Sequence, residues 1–488
     1  MTSGIAIATP HRTATAVGRR VMEEGGSAVD GALAAAAVLT VVYPHNCALG
    51  GDLMALVRDG DGVTRAVNAT GPAARLVDVD ALRARYDGAL PVAGIDTVTV
   101  PGLVAGWGEL YALGGSAPWS ELLSEAERLA REGFVPTAKL LAAVDEAPVP
   151  VLVPDTDGAL RQAALAETFA ILRAEGARAL YEGPLAARFA AGLEALGSAL
   201  RVEDLASFRP SVEAPLGVRF REVDVLTAGP NCSGVLLLQA LAALEAAGLE
   251  DPLGADAGAL AAIFAAGRRR REASLADPRA VAQDMAAWLG PEAVARVAAE
   301  RDVGVAVDGA RPTGDTIALV TRDADGRAVS LIQSLYWSFG AQLIEPSTGI
   351  VLQNRGTSFS LDPDHPNVLA PGKRPAHTLM PVLVERAGSL AGVLGTMGGK
   401  VQPQIHTQVL LRLLAGATPQ EAVDAPRFAV AGTTVGLESG LDAAAEASLR
   451  ATGAPILAHP RYDEEFGHAQ AIWGTSSGTD PRADGLPG

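Results

Sequence analysis

The chain has little of what would tie it to an oxidising compartment, a membrane or a nucleic acid. Its 488 residues include two cysteines, Cys47 and Cys232, too few for a disulfide framework and outside any metal-like spacing. Both are expected to be reduced thiols. Aromatic residues make up 4%, which argues against a surface that stacks bases or sugars. No apolar run is long enough to cross a bilayer. The opening MTSGIAIATPHRTATAVGRR has no apolar stretch behind a basic start, so a cytoplasmic location is expected. Positive charge is also scarce: 39 Lys and Arg against 56 Asp and Glu give −17, which argues against nucleic acid or an anionic membrane as partner. The one basic run, Arg268 to Arg271, falls between helical segments and is expected to be a solvated or ion-paired helix face. His11, His406, His459 and His468 show no ligand spacing, so neither metal nor cofactor is expected.

What is present is apolar and helix-rich, with 49% hydrophobic residues. TAVGRRVMEEGGSAVDGALAAAAVLTVV predicts two helices around Gly25-Gly26, with Ser27 capping the second. That second helix is apolar on all sides and is expected to be buried. YPHNCALGGDLMALVRDGDGVTRAVNA then predicts a loop and a hairpin turning at Asp59–Gly62. Amphipathic helices dominate residues 120–270, interrupted by a strand-like stretch from Val218 to Gly229. From Thr316 onward short β-runs prevail, followed by the helix QPQIHTQVLLRLLAGA. No linker separates the halves, which favours one mixed α/β domain with helices covering a two-sheet core.

Gly314-Asp315-Thr316 places a threonine at the start of one of these strands. A threonine hydroxyl is a poor nucleophile until a base stands beside it. Cutting the chain at Asp315–Thr316 would supply one, because the new α-amine has a reference pKa of roughly 7.7–8.0. On these three residues alone an ordinary turn is the more common explanation of the motif.

The wider sequence resembles the γ-glutamyltranspeptidase family of N-terminal-nucleophile hydrolases nearly end to end. The resemblance is carried by GGSAVDGALAAAAVLTVVYPHNCALGGD, VPGLVAGW, GPNCSGVLLLQALAALE, DADGRAVSLIQSL, TGIVLQN, GTMGGKVQPQ, EAVDAPRF and TDPRADG, in the family's order. It implies a four-layer αββα sandwich, made as one precursor and cut into two chains, 1–315 and 316–488, that stay together as a heterodimer within one structural domain. Further dimerisation is left open. Thr316 takes the nucleophile's position, with Thr313 its nearest rival. Ser334 takes that of a second hydroxyl that bonds the nucleophile, and Gly398-Gly399 that of the oxyanion-hole pair. His468 falls on a family strand and is expected to be structural.

The substrate pocket departs from the family pattern. Where γ-glutamyl enzymes carry an arginine for the substrate carboxylate, this chain has Asn68, with Arg75 nearby but out of register. A serine pair is replaced by His377-Thr378, and Arg355 and Ser358 stand where an acidic or amide group would face the substrate amine. Arg355 would repel an ammonium and attract a carboxylate. The expected substrate-binding set is therefore Asn68, Tyr336, Arg355, Ser358, His377 and Thr378. The expected activity is cleavage of an amide, or of an activated C–C bond, in a small acidic, oxalyl or keto-acid substrate. Two alternatives remain: a γ-glutamyl transferase or hydrolase that uses Arg75, and an uncleaved non-catalytic scaffold.

Overall fold

The computed structural model describes residues 4–147, 152–300, 305 and 315–485. Eight strands frame the proposed cleavage point: β1 (Ala6–Ala8), β2 (Asp52–Arg58), β3 (Thr64–Ala69), β4 (Ser211–Glu213), β5 (Leu216–Phe220), β6 (Val223–Thr227), β7 (Asp315–Arg322) and β8 (Ala328–Tyr336). One six-stranded sheet has the order β1-β7-β8-β2-β3-β4, antiparallel throughout. The other, also antiparallel, runs Ser476–Thr479, Ala469–Trp473, Ser389–Thr396, Val382–Arg386, β6, β5. Residues before and after position 315 thus contribute to both sheets. The hairpin at Asp59–Gly62 joins β2 to β3 as the sequence predicts, and the strand-like stretch from Val218 proves to be the β5–β6 hairpin.

Side-chain alternation along β7 and β8 explains the layering, since neighbours in a strand face opposite ways. Ala318, Val320 and Ile332 enter a core between the sheets, with Leu383, Val393 and Ile472 opposite. The sheets approach closely there: a Cβ on Gly395 would lie 3.0 Å from the Ala318 Cβ. Ile317, Leu319, Val329 and Leu331 face the other way, onto helices α1 (Arg12–Glu23), α2 (Ala28–Val42) and Leu103–Gly114. A second helical layer, including Gly234–Ala246, Ala257–Ser274 and Gln402–Leu414, covers the outer face of the other sheet. The result is the four-layer αββα sandwich of the N-terminal-nucleophile hydrolases. Among the described residues, no helix is long and apolar enough to cross a membrane.

Helix α2 is buried along all of its length, which is why alanine fills it: larger side chains would not fit between the sheet and neighbouring helices. Ser27 caps it as predicted, in a capping box with Asp30.

The basic run is the expected solvated or ion-paired face only in part. Arg269 pairs with Glu300 and Arg270 lies over the Trp288 ring, but Arg268 and Arg271 are 4% and 5% exposed. Three residues apart on one helix, they share its inward face. The helix is apolar enough ahead of them to sink both guanidinium groups.

Candidate active site

Thr316 and Ser334 share the strand parity of Ala318 and Ile332, so both point between the sheets at the end of β7 and β8. An irregularity in the β7–β8 register between Asp315 and Ile317 sets Thr316 off the regular ladder. Thr316 Oγ1 lies 2.9 Å from Ser334 Oγ, and Thr316 is 1% exposed. Ser334 Oγ also lies 2.8 Å from the carbonyl oxygen of Asp315 and accepts the Tyr336 N–H at 2.8 Å. A carbonyl oxygen can only accept, so the Ser334 hydroxyl donates to Asp315, and the Thr316 hydroxyl is the donor in its contact with Ser334 Oγ, an oxygen it shares with the other donors around it. Asn46 Nδ2 donates to the Thr316 carbonyl at 3.4 Å. Gly51 packs from behind: a Cβ there would lie 2.5 Å from the Ser334 carbonyl oxygen. Thr313 and Gly314 lie outside the described residues.

A buried polar layer stands behind Ser334. Arg355 is fully buried, with Nη2 donating to Ser334 Oγ at 3.3 Å and Nη1 to Thr378 Oγ1 at 3.2 Å. Its Nε is 3.8 Å from Asp52 Oδ2, and its guanidinium sits 4.1 Å from the centroid of the Tyr336 ring. Asp52, also fully buried, accepts from the Gly71 N–H at 2.9 Å and from Gln353 at 3.2 Å. Burial pushes its carboxyl up to about 7, while Arg355 and the Gly71 N–H hold it from rising further. His377 Nδ1 accepts the Leu379 N–H at 3.2 Å, and burial with the nearby Arg355 keeps its pKa well below the ordinary imidazole value. A neutral ring then carries its proton on Nε2, which donates to Asp52 at 3.1 Å.

Gly398 and Gly399 stand where the second sheet hands over to the helix Gln402–Leu414. Their φ values of 134° and 53° lie where glycine is favoured. The Gly398 carbonyl accepts the Val401 N–H at 3.0 Å, so the turn leads into the helix N-terminus, where backbone donors have no partner within the helix.

A cavity of about 230 Å³ opens beside these elements. Tyr336 and Ser358 line it, as does Lys400, the neighbour of Gly399; so do Arg271, Glu272 and His365. Of the predicted substrate residues, only Tyr336 and Ser358 reach it; Arg355, His377 and Thr378 form the layer behind. Tyr336 has φ 86°, a strained value for a residue with a side chain. Asn68 is turned to Asn231 Oδ1 at 2.9 Å and to Thr70, and Arg75 is bonded to Asp204 at 3.1 Å on a half-exposed surface. Neither lines the cavity. Among the described residues, no group of three or more His, Cys, Asp or Glu is placed to hold a metal ion.

A family model for gamma-glutamyltranspeptidase matches residues 14–486. The chain belongs to the gamma-glutamyltranspeptidase family. It is 34% identical to the oxamate amidohydrolase proenzyme of Klebsiella pneumoniae, over 99% of this chain and 98% of that one. It is 33% identical to a glutathione hydrolase-like proenzyme of Bacillus subtilis, over 98% of this chain and 97% of that one. Among solved structures, a cephalosporin acylase from Bacillus halodurans superposes with a TM-score of 0.91 at 31% identity, covering 100% of this chain and 96% of that one. The chain is thus an enzyme of the N-terminal-nucleophile hydrolase type.

Within the family's fold, sequence reasoning missed Asp52, Arg271 and Lys400. Asp52 closes the GGD motif and could have been read as the acid that partners a buried cation. Arg271 was hidden because a charge run usually marks a solvated face. Its spacing from Arg268 on an otherwise apolar helix was the available signal.

Proposed function

We propose that the chain is a self-processing threonine hydrolase that acts on a small amide carrying a carboxylate. The observation that carries this reading is the contact among Thr316 Oγ1, Ser334 Oγ and the Asp315 carbonyl oxygen, at 2.9 and 2.8 Å in the uncut chain. The Ser334 proton is already directed at the oxygen that becomes negative, and the Ser334 oxygen can take the Thr316 proton. Thr316 Oγ attacks the Asp315 carbonyl carbon, the peptide C–N bond breaks, and the Thr316 nitrogen takes up the proton. Water then hydrolyses the resulting ester, releasing an Asp315 carboxylate and a free Thr316 amine.

In the mature enzyme that amine serves as the base for Thr316 Oγ. The hydroxyl attacks the substrate amide, ammonia or an amine departs, and the acyl-enzyme passes to water or to an acceptor amine. Backbone donors of Gly398 and Gly399 hold the oxyanion; one such donor is worth about 2.7–4 kcal/mol. Arg355 acts through Ser334, holding its hydroxyl in place with Thr378 and Asp52 behind it. Support for an acidic amide comes from the likeness to an oxamate amidohydrolase and from the cationic groups of the cavity. The glutathione hydrolase-like relative supports a second reading, hydrolysis of γ-glutamyl compounds.

Mass and N-terminal analysis of the denatured protein tests the first step. Chains 1–315 and 316–488 are expected, and a single intact chain from Thr316→Ala. An uncut wild-type chain would sink the reading. Comparison of oxamate with γ-glutamyl-p-nitroanilide then separates the two substrates.

A further inference from the structure

Arg271 has a buried polar atom with no hydrogen-bond partner among the described residues. It lies near the end of the helix Ala257–Ser274 and is 5% exposed. Nε donates to Ser233 Oγ at 3.2 Å and Nη1 to Glu272 Oε1 at 3.1 Å. Nη2 is buried and has no hydrogen-bond partner among the described residues, although Arg271 lines the cavity beside Tyr336 and Ser358. Burying part of a guanidinium without a partner is costly unless something else meets it.

The rest of the wall is consistent with an anion there. Lys400 also lines the cavity, and its Nζ lies 2.8 Å from Glu272 Oε1. One carboxylate oxygen therefore bridges both cations and fixes their positions. The cavity's Arg and Lys against its single Glu leave one positive charge in excess, enough for one carboxylate. Ser358 Oγ, also on the wall, is likewise buried without a hydrogen-bond partner among the described residues, whereas His365 and Asn367 are already engaged. His365 Nε2 meets the Glu272 carbonyl at 2.8 Å and Nδ1 accepts the Asn367 N–H at 2.9 Å. Asn367 itself donates to the Ser358 carbonyl at 2.6 Å and accepts the Ala376 N–H at 2.9 Å.

We propose that Arg271 and Lys400 form the subsite that receives the carboxylate of an anionic amide substrate, with Glu272 as the internal ion that holds the pair open. This rests on the hydrolase reading above and moves the recognition of charge from Arg355 to Arg271. A carboxylate there takes Nη2 of Arg271 and a remaining proton of Lys400. Lys400 follows Gly399 directly, so the subsite adjoins the oxyanion turn.

Oxamate and its neutral isostere oxamide provide the test, because they differ only in the charged end. With processed enzyme, Arg271→Gln should lower kcat/KM for oxamate about 10- to 100-fold, chiefly through KM, and change oxamide turnover less than about threefold. Arg271→Lys should recover part of the oxamate activity. Equal losses on both substrates, or none on oxamate, would overturn the proposal. The cavity is already present in the uncut chain, so calorimetry on Thr316→Ala provides a second readout. Oxamate should bind there, and Arg271→Gln in that background should remove the heat. No oxamate heat in the Thr316→Ala protein overturns the subsite whether or not the wild type processes itself. Binding without self-cleavage instead overturns the hydrolase reading and leaves the subsite standing.

Discussion

The Ser334 hydroxyl donates to the carbonyl oxygen of Asp315 at 2.8 Å, across the β7–β8 pair and one residue before the proposed nucleophile. Ser334→Ala removes both that donor and the acceptor for the Thr316 proton. Self-cleavage should slow about 10²- to 10³-fold, as for the loss of one oxyanion donor, and Ser334→Thr should keep most of the rate. The measurement is the fraction of uncut chain with time after synthesis.

Gly398 combines a φ of 134° with a tight neighbour: a Cβ there would stand 2.7 Å from the Ile405 Cδ1. Gly398→Ala should cost about 1–3 kcal/mol of stability from backbone strain. Its larger effect should be on kcat, because the turn proposed to present the oxyanion donors has to shift. Urea unfolding of the Thr316→Ala background and turnover in the processed enzyme read the two effects separately.

Acid should unfold the protein ahead of ordinary carboxylate titration. Burial lowers His11 and His468 to about 4 and His45 and His406 to about 3, and holds His377 well below its usual value. Each of these rings binds its proton more readily in the unfolded chain, so stability is lost as the pH falls from about 6.5 toward the folded values. Asp52 and Asp315, both pushed up to about 7 by burial, act in the opposite sense, contributing stability that is lost as pH rises toward 7. Asp315 keeps part of its surface in solvent, which trims its share. Five imidazoles against two carboxyls leave the first trend dominant. The urea midpoint of Thr316→Ala should therefore fall between pH 6.5 and 5; His406→Gln should flatten the slope and Asp52→Asn should steepen it. A flat midpoint over that interval would refute the argument.

Two of the motifs that resemble the family meet in a buried ion cluster. Arg427 of EAVDAPRF pairs with Asp480 of TDPRADG at 2.6 Å, and Arg482 pairs with Asp480 at 2.9 Å and with Glu438, all four residues being buried. Asp480→Ala leaves two guanidinium groups without that carboxylate and should cost about 3–5 kcal/mol. Equilibrium unfolding checks it, and a loss below about 1 kcal/mol would show that the cluster relaxes around the gap.

Much of the sandwich was legible because its signals are local. The buried alanine helix, the hairpin at Asp59–Gly62 and the strand pair after Thr316 each follow from periodicity and turn residues. The contact between Thr316 and Ser334 follows from the antiparallel pairing of two adjacent strands. The pocket was less legible, because depth within a packed core is not written in sequence order. Arg355 reads as a wall residue from its motif, yet Asp52, some 300 positions away, draws it into the layer behind Tyr336. Arg271 reads as solvated from its neighbours, yet helix phase turns it inward.

The strand β7 begins at Asp315 and is held on one side by β1 and on the other by β8. A cut behind its first residue removes the covalent tether but leaves the ladder hydrogen bonds from Ile317 onward in place. The fragments would therefore be bound as tightly as a fold is bound to itself, and neither could leave without dismantling both sheets. Mixed populations of isotopically light and heavy enzyme should keep their original pairings until they are unfolded, so each molecule carries for life the partner from which it was cut.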